Sequence, residues 1–371
     1  MEDRGSSAPH LVGILDLRNF VADVLRRLGH PDEHATMIAD VLVDGDLRGY
    51  ADHGVQMLGS FLPRSPTGRH NPRPAIRVVI ENESTLLLDG DRGFGVMPGM
   101  QAMRWCIERA KERRGIVCAA VRRAGHVIGL APYVELAARA GVIGFACANA
   151  VPAMAPPAGR TKVLGTNPMA FGVPAGRHYP VILDMATSAT AARKIIIAAL
   201  AGRTVPEGLI ADAQGHPTTD PREFWPLSRG GAIGSLLPLG WPQAAHKGFG
   251  LSMLVDLLAG VLSGGGFGRT ANTFTADVGQ FYWALDVRAF MPLEEFLARV
   301  DAQIDQVKAS ERISGVEEIV VPGERGQRRR AALLERGTLS LSKESWDQLV
   351  EAGEAVDLTP PELSDQQALP S

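Results

Sequence analysis

Cysteine is nearly absent. The 371 residues hold three, Cys106, Cys118 and Cys147, widely spaced and in apolar surroundings. A disulfide framework, a zinc site or a redox pair is therefore not expected, and buried free thiols of a reducing compartment are. Long apolar runs are also missing: stretches such as Ile195–Ala201 fall far short of the roughly 20 residues that cross a bilayer. The start of the chain, Met1-Glu2-Asp3-Arg4-Gly5, has no apolar segment behind it, so no secretory signal is expected. A formal charge of −3 removes any reason to expect nucleic acid or an anionic membrane as partner. Together these absences describe a cytoplasmic protein. One more is informative: no strict G-x-G-x-x-G loop occurs.

What is present suits a globular chain with a sizeable core, since 45% of residues are hydrophobic and 21% charged. Residues 1–9 are expected to fray. Asp16 can cap a helix with Phe20, Val21, Val24, Leu25 and Leu28 at helical spacing, ended by Gly29. Pro31-Asp32-Glu33 opens a second helix with Met37, Ile38, Val41 and Leu42 on one face. A third is expected from about His53 to Leu62, stopping at the turn-rich Pro63–Pro74 segment. The first 70 or so residues thus form a small helical unit.

From Ile76 the pattern alternates. Strands are expected at Ile76–Ile80, Ser84–Leu88, Gly115–Val121, Val142–Asn149, Met169–Pro174 and Val181–Asp184. Helices are expected at Pro98–Arg113, Ala131–Ala140, Ser188–Leu200 and Ser252–Leu262. This predicts an α/β layer domain over about 75–265. The Gly-rich stretch Ser263–Gly268 marks a loop or boundary. Beyond it come a strand at Gly279–Val287, an amphipathic helix at Pro292–Ser310 and a last helix at Ser342–Ala352. The polar, Pro-rich ending is expected to be disordered over 355–371.

Gly93-Phe94-Gly95 with Gly99 lies between a strand and a helix, the right context for a dinucleotide loop. No acidic residue ends the following strand, which reads Cys118-Ala119-Ala120-Val121, so a tight turn at a helix start is the better reading. The candidate ligand-facing pieces lie elsewhere. Val163-Leu164-Gly165-Thr166-Asn167-Pro168 and Leu183-Asp184-Met185-Ala186-Thr187-Ser188 are apolar runs ending in small and hydroxylated residues. Such ends let backbone approach a ligand and offer it N–H and hydroxyl groups.

Hydride transfer to a carbonyl or imine carbon needs a proton donor near neutrality, and histidine is the usual choice. Of nine histidines, two have suggestive settings. His53 follows Asp52 and precedes Gly54 at a helix start. His126, in Gly125-His126-Val127-Ile128-Gly129, lies just past a strand end, where α/β sheets expose ligand-facing groups. Each alone is more often structural or solvated. His246-Lys247-Gly248 at a helix start could direct charge at a phosphate or carboxylate, or could merely face solvent. Asp184 could orient a histidine, bind a ribose hydroxyl, or cap the helix beginning near Ser188. Lys194 is an anion contact or a surface charge.

The order and context of these residues, from about Leu15 to Leu349, resemble the type-2 malate/L-lactate dehydrogenase family. Its members include ureidoglycolate dehydrogenase, diketogulonate reductase, sulfolactate dehydrogenase and piperideine-2-carboxylate reductase. The resemblance implies an α/β fold unlike Rossmann, with a discontinuous helical domain packed on the central layer. Its parts would be 1–74 and 266–354, flanking the α/β domain at 75–265. It also implies NADH or NADPH as cofactor, a small-molecule substrate and a homodimer. Carried over, His53 and His126 match the proton-transferring histidines. Pro180, Val181, Ile182, Leu183, Asp184, Met185 and Ala186 match the stretch lining the cofactor. His246, Lys247, Gly323 and Glu324, the last two within Val320-Val321-Pro322-Gly323-Glu324, match further cofactor contacts, and Asn167 supports the wall.

Three departures from the family pattern carry weight. The family writes Ser-His-Gly-Val-x-Arg, its Arg gripping the substrate carboxylate as a bidentate fork. Here Asp52 stands at the Ser position and Met57 at the Arg position, and a buried Met cannot bind a carboxylate. Arg48 and Arg123 are the candidate replacements. Ala150 stands where a serine often follows the residue equivalent to Asn149. Asp52 beside His53 would favour the protonated ring. The expected activity is an NAD(P)H-dependent oxidoreductase acting on a C=O or C=N carbon, with a substrate atypical for the family, such as a larger or cyclic imine. The alternatives are an ordinary 2-hydroxy acid dehydrogenase with a relocated Arg, and a catalytically silent relative that binds a ligand or partner.

Overall fold

A computed structural model describes residues 10–62, 70–225 and 233–364. The fraying expected for 1–9 and the turns expected at 63–69 lie outside the described residues. Strand β1 (His10–Gly13) leads directly into α1 (Ile14–Arg27), which starts two residues before Asp16, leaving that carboxylate in the first turn rather than at the cap. Helix α2 (Asp32–Leu47) follows Pro31 and buries Ile38, Val41 and Leu42. The expected third helix is instead two tight 3₁₀ turns, Ala51–His53 and Val55–Phe61, broken at extended Gly54.

The α/β layer begins with β2 (Arg77–Glu81), β3 (Thr85–Asp89), α3 (Val96–Arg113), β4 (Ile116–Ala124) and α4 (Ala131–Arg139). Strands β5 (Val142–Ala148), β6 (Met169–Val173) and β7 (Val181–Met185) follow, then α5 (Ala192–Leu200). Helix α5 starts four residues later than the periodicity predicts, because Ser188–Ala191 forms a loop. Short strands β8 (Ile210–Ala211), β9 (Pro217–Thr218) and β10 (Ser235–Leu236) make a small side sheet with its own core around α5. Helix α6 (Ala245–Asp256) runs on as a π turn, and β11 (Val278–Asp286) re-enters the layer. The chain closes with α7 (Leu293–Lys308), α8 (Glu324–Arg336), β12 (Thr338–Leu341) and α9 (Lys343–Glu354).

Among the described residues the main sheet has seven strands in the order β2-β3-β4-β11-β5-β6-β7, and only β3–β4 pair in parallel. It is a mixed sheet with helices on both faces: α3 and α4 on one, α6 with its π turn on the other. That double cover explains the near-continuous apolar sequences of β4 and β5. Strand β11 corrects the expected boundary at 265, since the layer takes a central strand from beyond it. That strand pairs antiparallel with β4 on one side and with β5 on the other, and Gln280-Phe281-Tyr282 are buried there. Nor are all of residues 355–371 disordered: Ser364 N–H donates to the Leu11 carbonyl at 2.8 Å, and Leu363 bridges to Val12. Residues 365–371 lie outside the described set.

The glycine loop between β3 and α3 has a packing role. A Cβ on Gly95 would lie 2.3 Å from the Gly125 carbonyl, and one on Gly99 would lie 2.4 Å from the Tyr282 hydroxyl. The loop brings α3 against the segment that carries His126. No helix among the described residues is long and apolar enough to cross a membrane.

Candidate active site

Four loops converge on one cleft of about 670 Å³: the 3₁₀ turns after α2, the β4–α4 connection, the residues after β5, and the β7–α5 connection. His53, His126, Asp184, Asp52 and Met57 all line it. Three separate stretches of sequence thus place their ionisable groups at one point.

His53 is held from below. Gly45 of α2 packs under it so closely that a Cβ there would meet the His53 carbonyl at 2.5 Å. The Asp46 carboxylate accepts the Val55 N–H at 2.6 Å, tying α2 to the turn. Burial pushes Asp46 up to about 7, against the Val55 hydrogen bond and the charge of Arg329. A folded-state pKa above the ordinary value means the folded chain holds this proton more tightly than the unfolded chain. Its contribution is fully present below about pH 4 and is lost as pH rises through about 7. Asp46→Asn keeps an acceptor for Val55 but cannot ionise. Its stability relative to the parent should therefore increase from pH 5 to pH 8 in paired thermal melts, and a constant difference would contradict this.

The Asp52 carboxylate lies 3.4 Å from His53 Nδ1. Burial works against its charge, but the hydrogen bond from His53, the His53 charge and Lys194 outweigh it and hold Asp52 below the usual carboxylate range. An ionised carboxylate therefore stands behind the ring, where it can balance a positive imidazolium. The His53 and His126 rings stack with centroids 6.2 Å apart.

His126 is of a different kind. Its Nδ1 accepts the Ile128 N–H at 2.9 Å, and a backbone N–H can only donate. The neutral ring must therefore carry its proton on Nε2. Burial drives its pKa down to about 3, with the charges of His53 and Arg193 pushing the same way. At neutral pH it is an uncharged hydrogen-bond donor.

Asp184 does not cap the helix after Ser188. Its Oδ2 accepts the N–H groups of Leu130 and Ala131 at 2.9 and 2.8 Å, capping α4 from β7 and fixing the loop that carries His126. Burial pushes its pKa up, while those two N–H groups and the charges of His53 and Arg48 pull down.

Of the stretch Pro180–Ala186, Asp184, Met185 and Ala186 line the cleft. Pro180 lies at a second cavity with Arg177, Glu324 and Arg328. Val181, Ile182 and Leu183 form the strand behind, and Gly323 packs on Ile182. Glu324 pairs with Lys308 at 2.6 Å and with Arg328. His246 and Lys247 sit exposed on the first turn of α6, outside the cleft lining. Asn167 is fully buried: its Oδ1 accepts the Ala150 N–H at 3.2 Å and its Nδ2 donates to the Ser252 carbonyl at 3.0 Å. It braces the wall rather than lining the pocket.

The two candidate replacements for the missing Arg are both committed. Arg48 is buried against Asp44 and Glu135, joining α2 to α4. Arg123 pairs with Asp89 at 3.0 Å on the other side of its loop. The cleft does hold an arginine that periodicity did not single out. Arg193, second residue of α5, lines the wall and donates from Nη2 to the Gln56 carbonyl at 3.0 Å.

The family model described as malate/L-lactate dehydrogenase matches residues 12–350. The chain belongs to the malate/L-lactate dehydrogenase family. Malate dehydrogenase of Pyrococcus abyssi is 39% identical over 318 residues, covering 84% of this chain and 85% of the relative. L-sulfolactate dehydrogenase of Methanocaldococcus jannaschii is 36% identical over 341 residues, covering 90% and 94%. The solved structure of malate dehydrogenase from Pyrococcus horikoshii superposes with a TM-score of 0.85 at 32% identity, covering 97% of this chain and 98% of that one. Membership of the malate/L-lactate dehydrogenase family makes this chain an oxidoreductase and implies a nicotinamide cofactor. The cleft fits such a group. The walls at Met185–Ala186 and Ser188–Ala191 are mostly small, and α5 begins at Ala192 after an N-cap, Ala191, that offers no capping side chain, leaving helix N–H groups for an anionic ligand.

Proposed function

We propose that this chain moves hydride between a nicotinamide cofactor and the carbinol or carbonyl carbon of a small 2-hydroxy or 2-oxo acid. The observation that carries the reading is the pair of stacked imidazoles, one backed by an ionised carboxylate, in the wall of a single cleft. The cofactor, when bound, supplies or accepts the hydride. Asp184, Met185, Ala186 and the uncapped start of α5 are the surfaces that would hold it.

The remaining work falls to side chains. His53 gives a proton to the substrate oxygen during reduction and takes it back during oxidation, with Asp52 balancing the ring's charge. His126, neutral and protonated on Nε2, donates a hydrogen bond to that same oxygen. A donor suits a carbonyl or hydroxyl, which has lone pairs to accept it. A protonated imine nitrogen has none, so hydroxy acid chemistry is favoured. Met57 in the cleft wall is the one observation behind the second reading, a larger or cyclic imine. Self-association as a homodimer goes with the reading: Met253, Leu254, Leu257, Val261 and Leu262 expose a continuous apolar face along α6 and its π turn.

Titration with NADH and with NADPH tests the proposal and decides between them. A cofactor at one hundred times its Kd should stabilise the fold by about 2.7 kcal/mol, seen as a raised Tm. Cofactor absorbance should then fall on adding short-chain 2-oxo acids. A Tm unmoved by either cofactor would favour the catalytically silent relative and end this reading.

A further inference from the structure

We infer that Arg193 is the substrate's carboxylate anchor, a guanidinium delivered from the start of α5 in place of the arginine lost at Met57. The inference rests on the hydride-transfer reading above and adds to it a residue that no part of the sequence pattern assigned.

Arg193 has the features of a waiting anion site. It lines the cleft beside the two histidines. Its Nη2 donates to the Gln56 carbonyl at 3.0 Å, which holds the guanidinium next to residue 57, where the resemblance expects the missing fork. Its Nε is buried and has no hydrogen-bond partner among the described residues. A buried unpaired donor on a charged group is costly, so such atoms call for an explanation. A ligand carboxylate accepting from Nε and the adjacent Nη group would satisfy it with the two parallel bonds that arginine forms best.

No carboxylate among the described residues comes within ion-pairing distance of Arg193, unlike Arg48 and Arg123. Asp52 is near enough to favour its charge without contacting it, while burial works against that charge. The site therefore holds a partly desolvated cation with one contact made and one open. Its place also decides between ligand parts. Arg193 acts electrostatically on His126 and Asp52, the groups at the reacting end, so it faces the substrate. The ligand class is a small carboxylate with its reacting oxygen on the neighbouring carbon.

Oxalate, an unreactive dicarboxylate of the right size, is the probe. Its binding to the full chain is measured by calorimetry, with and without saturating reduced cofactor. Arg193→Ala should weaken oxalate about 10- to 100-fold, the effect of losing charge-assisted hydrogen bonds, while the cofactor Kd stays within about threefold. Arg193→Lys should recover only part, because an ammonium cannot form the fork. Adding Met57→Arg to Arg193→Ala should restore oxalate binding. In turnover the Arg193→Ala loss should fall on KM for 2-oxo acids more than on kcat.

Oxalate bound equally by parent and Arg193→Ala, or not bound by the parent at all, would overturn the inference. So would a loss of cofactor affinity with oxalate binding intact, which would assign Arg193 to a cofactor phosphate. A parent that binds cofactor but not oxalate sinks this inference alone. A parent that binds oxalate through Arg193 but neither cofactor sinks the hydride-transfer reading alone.

Discussion

His53→Gln should lower kcat by about 10²- to 10⁴-fold while the cofactor Kd changes little. Glutamine fills the same space and keeps a donor, but it cannot pass a proton. Asp52 loses the hydrogen bond and the charge of the ring that hold it below the usual carboxylate range. His126→Ala should cost about 10²- to 10³-fold, the effect of losing one aimed hydrogen-bond donor, and His126→Gln should recover part of that by keeping an N–H. The two residues also differ in pH behaviour. His126 titrates near 3, outside the working range, so its variants should leave the shape of the kcat profile unchanged. Variants of His53 should flatten the acid–base limb. Stopped-flow turnover across pH 5–9 reads both, and a flattened limb in His126→Gln would reverse the assignment.

Arg48→Met should destabilise the fold by about 3 kcal/mol, read from denaturant melts. Arg48 and Glu135 are both almost fully buried, so removing the cation leaves buried carboxylates behind. The loss stays near the lower end for a broken buried pair because Arg139 still bonds Glu135 at 2.7 Å and Arg330 still bonds Asp44 at 2.6 Å. Removing both partners in Arg48→Met with Glu135→Leu should restore much of the loss, since a packed apolar pair needs no desolvation of charge. If Arg48 instead gripped the substrate, the single change would raise KM and leave stability alone. That outcome would also undercut Arg193 as the anchor.

The strands from β3 to β7 were legible because each is a short apolar run bounded by Gly, Pro or Asp, and α2 because Pro31 starts it. Helix α8 was not. Its sequence carries Arg325, Arg328, Arg329, Arg330 and Arg336 with little apolar periodicity, and ion pairs to Glu318 and Asp44 hold it rather than a hydrophobic stripe. The entry of β11 into the middle of the sheet was hidden for another reason. A strand's apolar pattern reports that both faces are covered, not which strands lie beside it. In the cleft, His53, His126 and Asp184 stood out through motif context. Asp184's bond to the start of α4 spans more than fifty positions of sequence and left no local mark. Arg193 was overlooked because a cation in the first turn of an apolar helix reads as a surface charge. Its partner, the Gln56 carbonyl, is a backbone atom that any residue would offer.

Chemical rescue probes the central claim most directly. His53→Ala opens a hole the size of the missing ring beside Asp52, and imidazole added to the assay can occupy it. Turnover should rise with imidazole concentration, following its protonated fraction in the reducing direction, while His126→Ala shows no such pH-linked rise. A His53→Ala enzyme indifferent to imidazole, alongside a His126→Ala enzyme revived by it, would contradict the account.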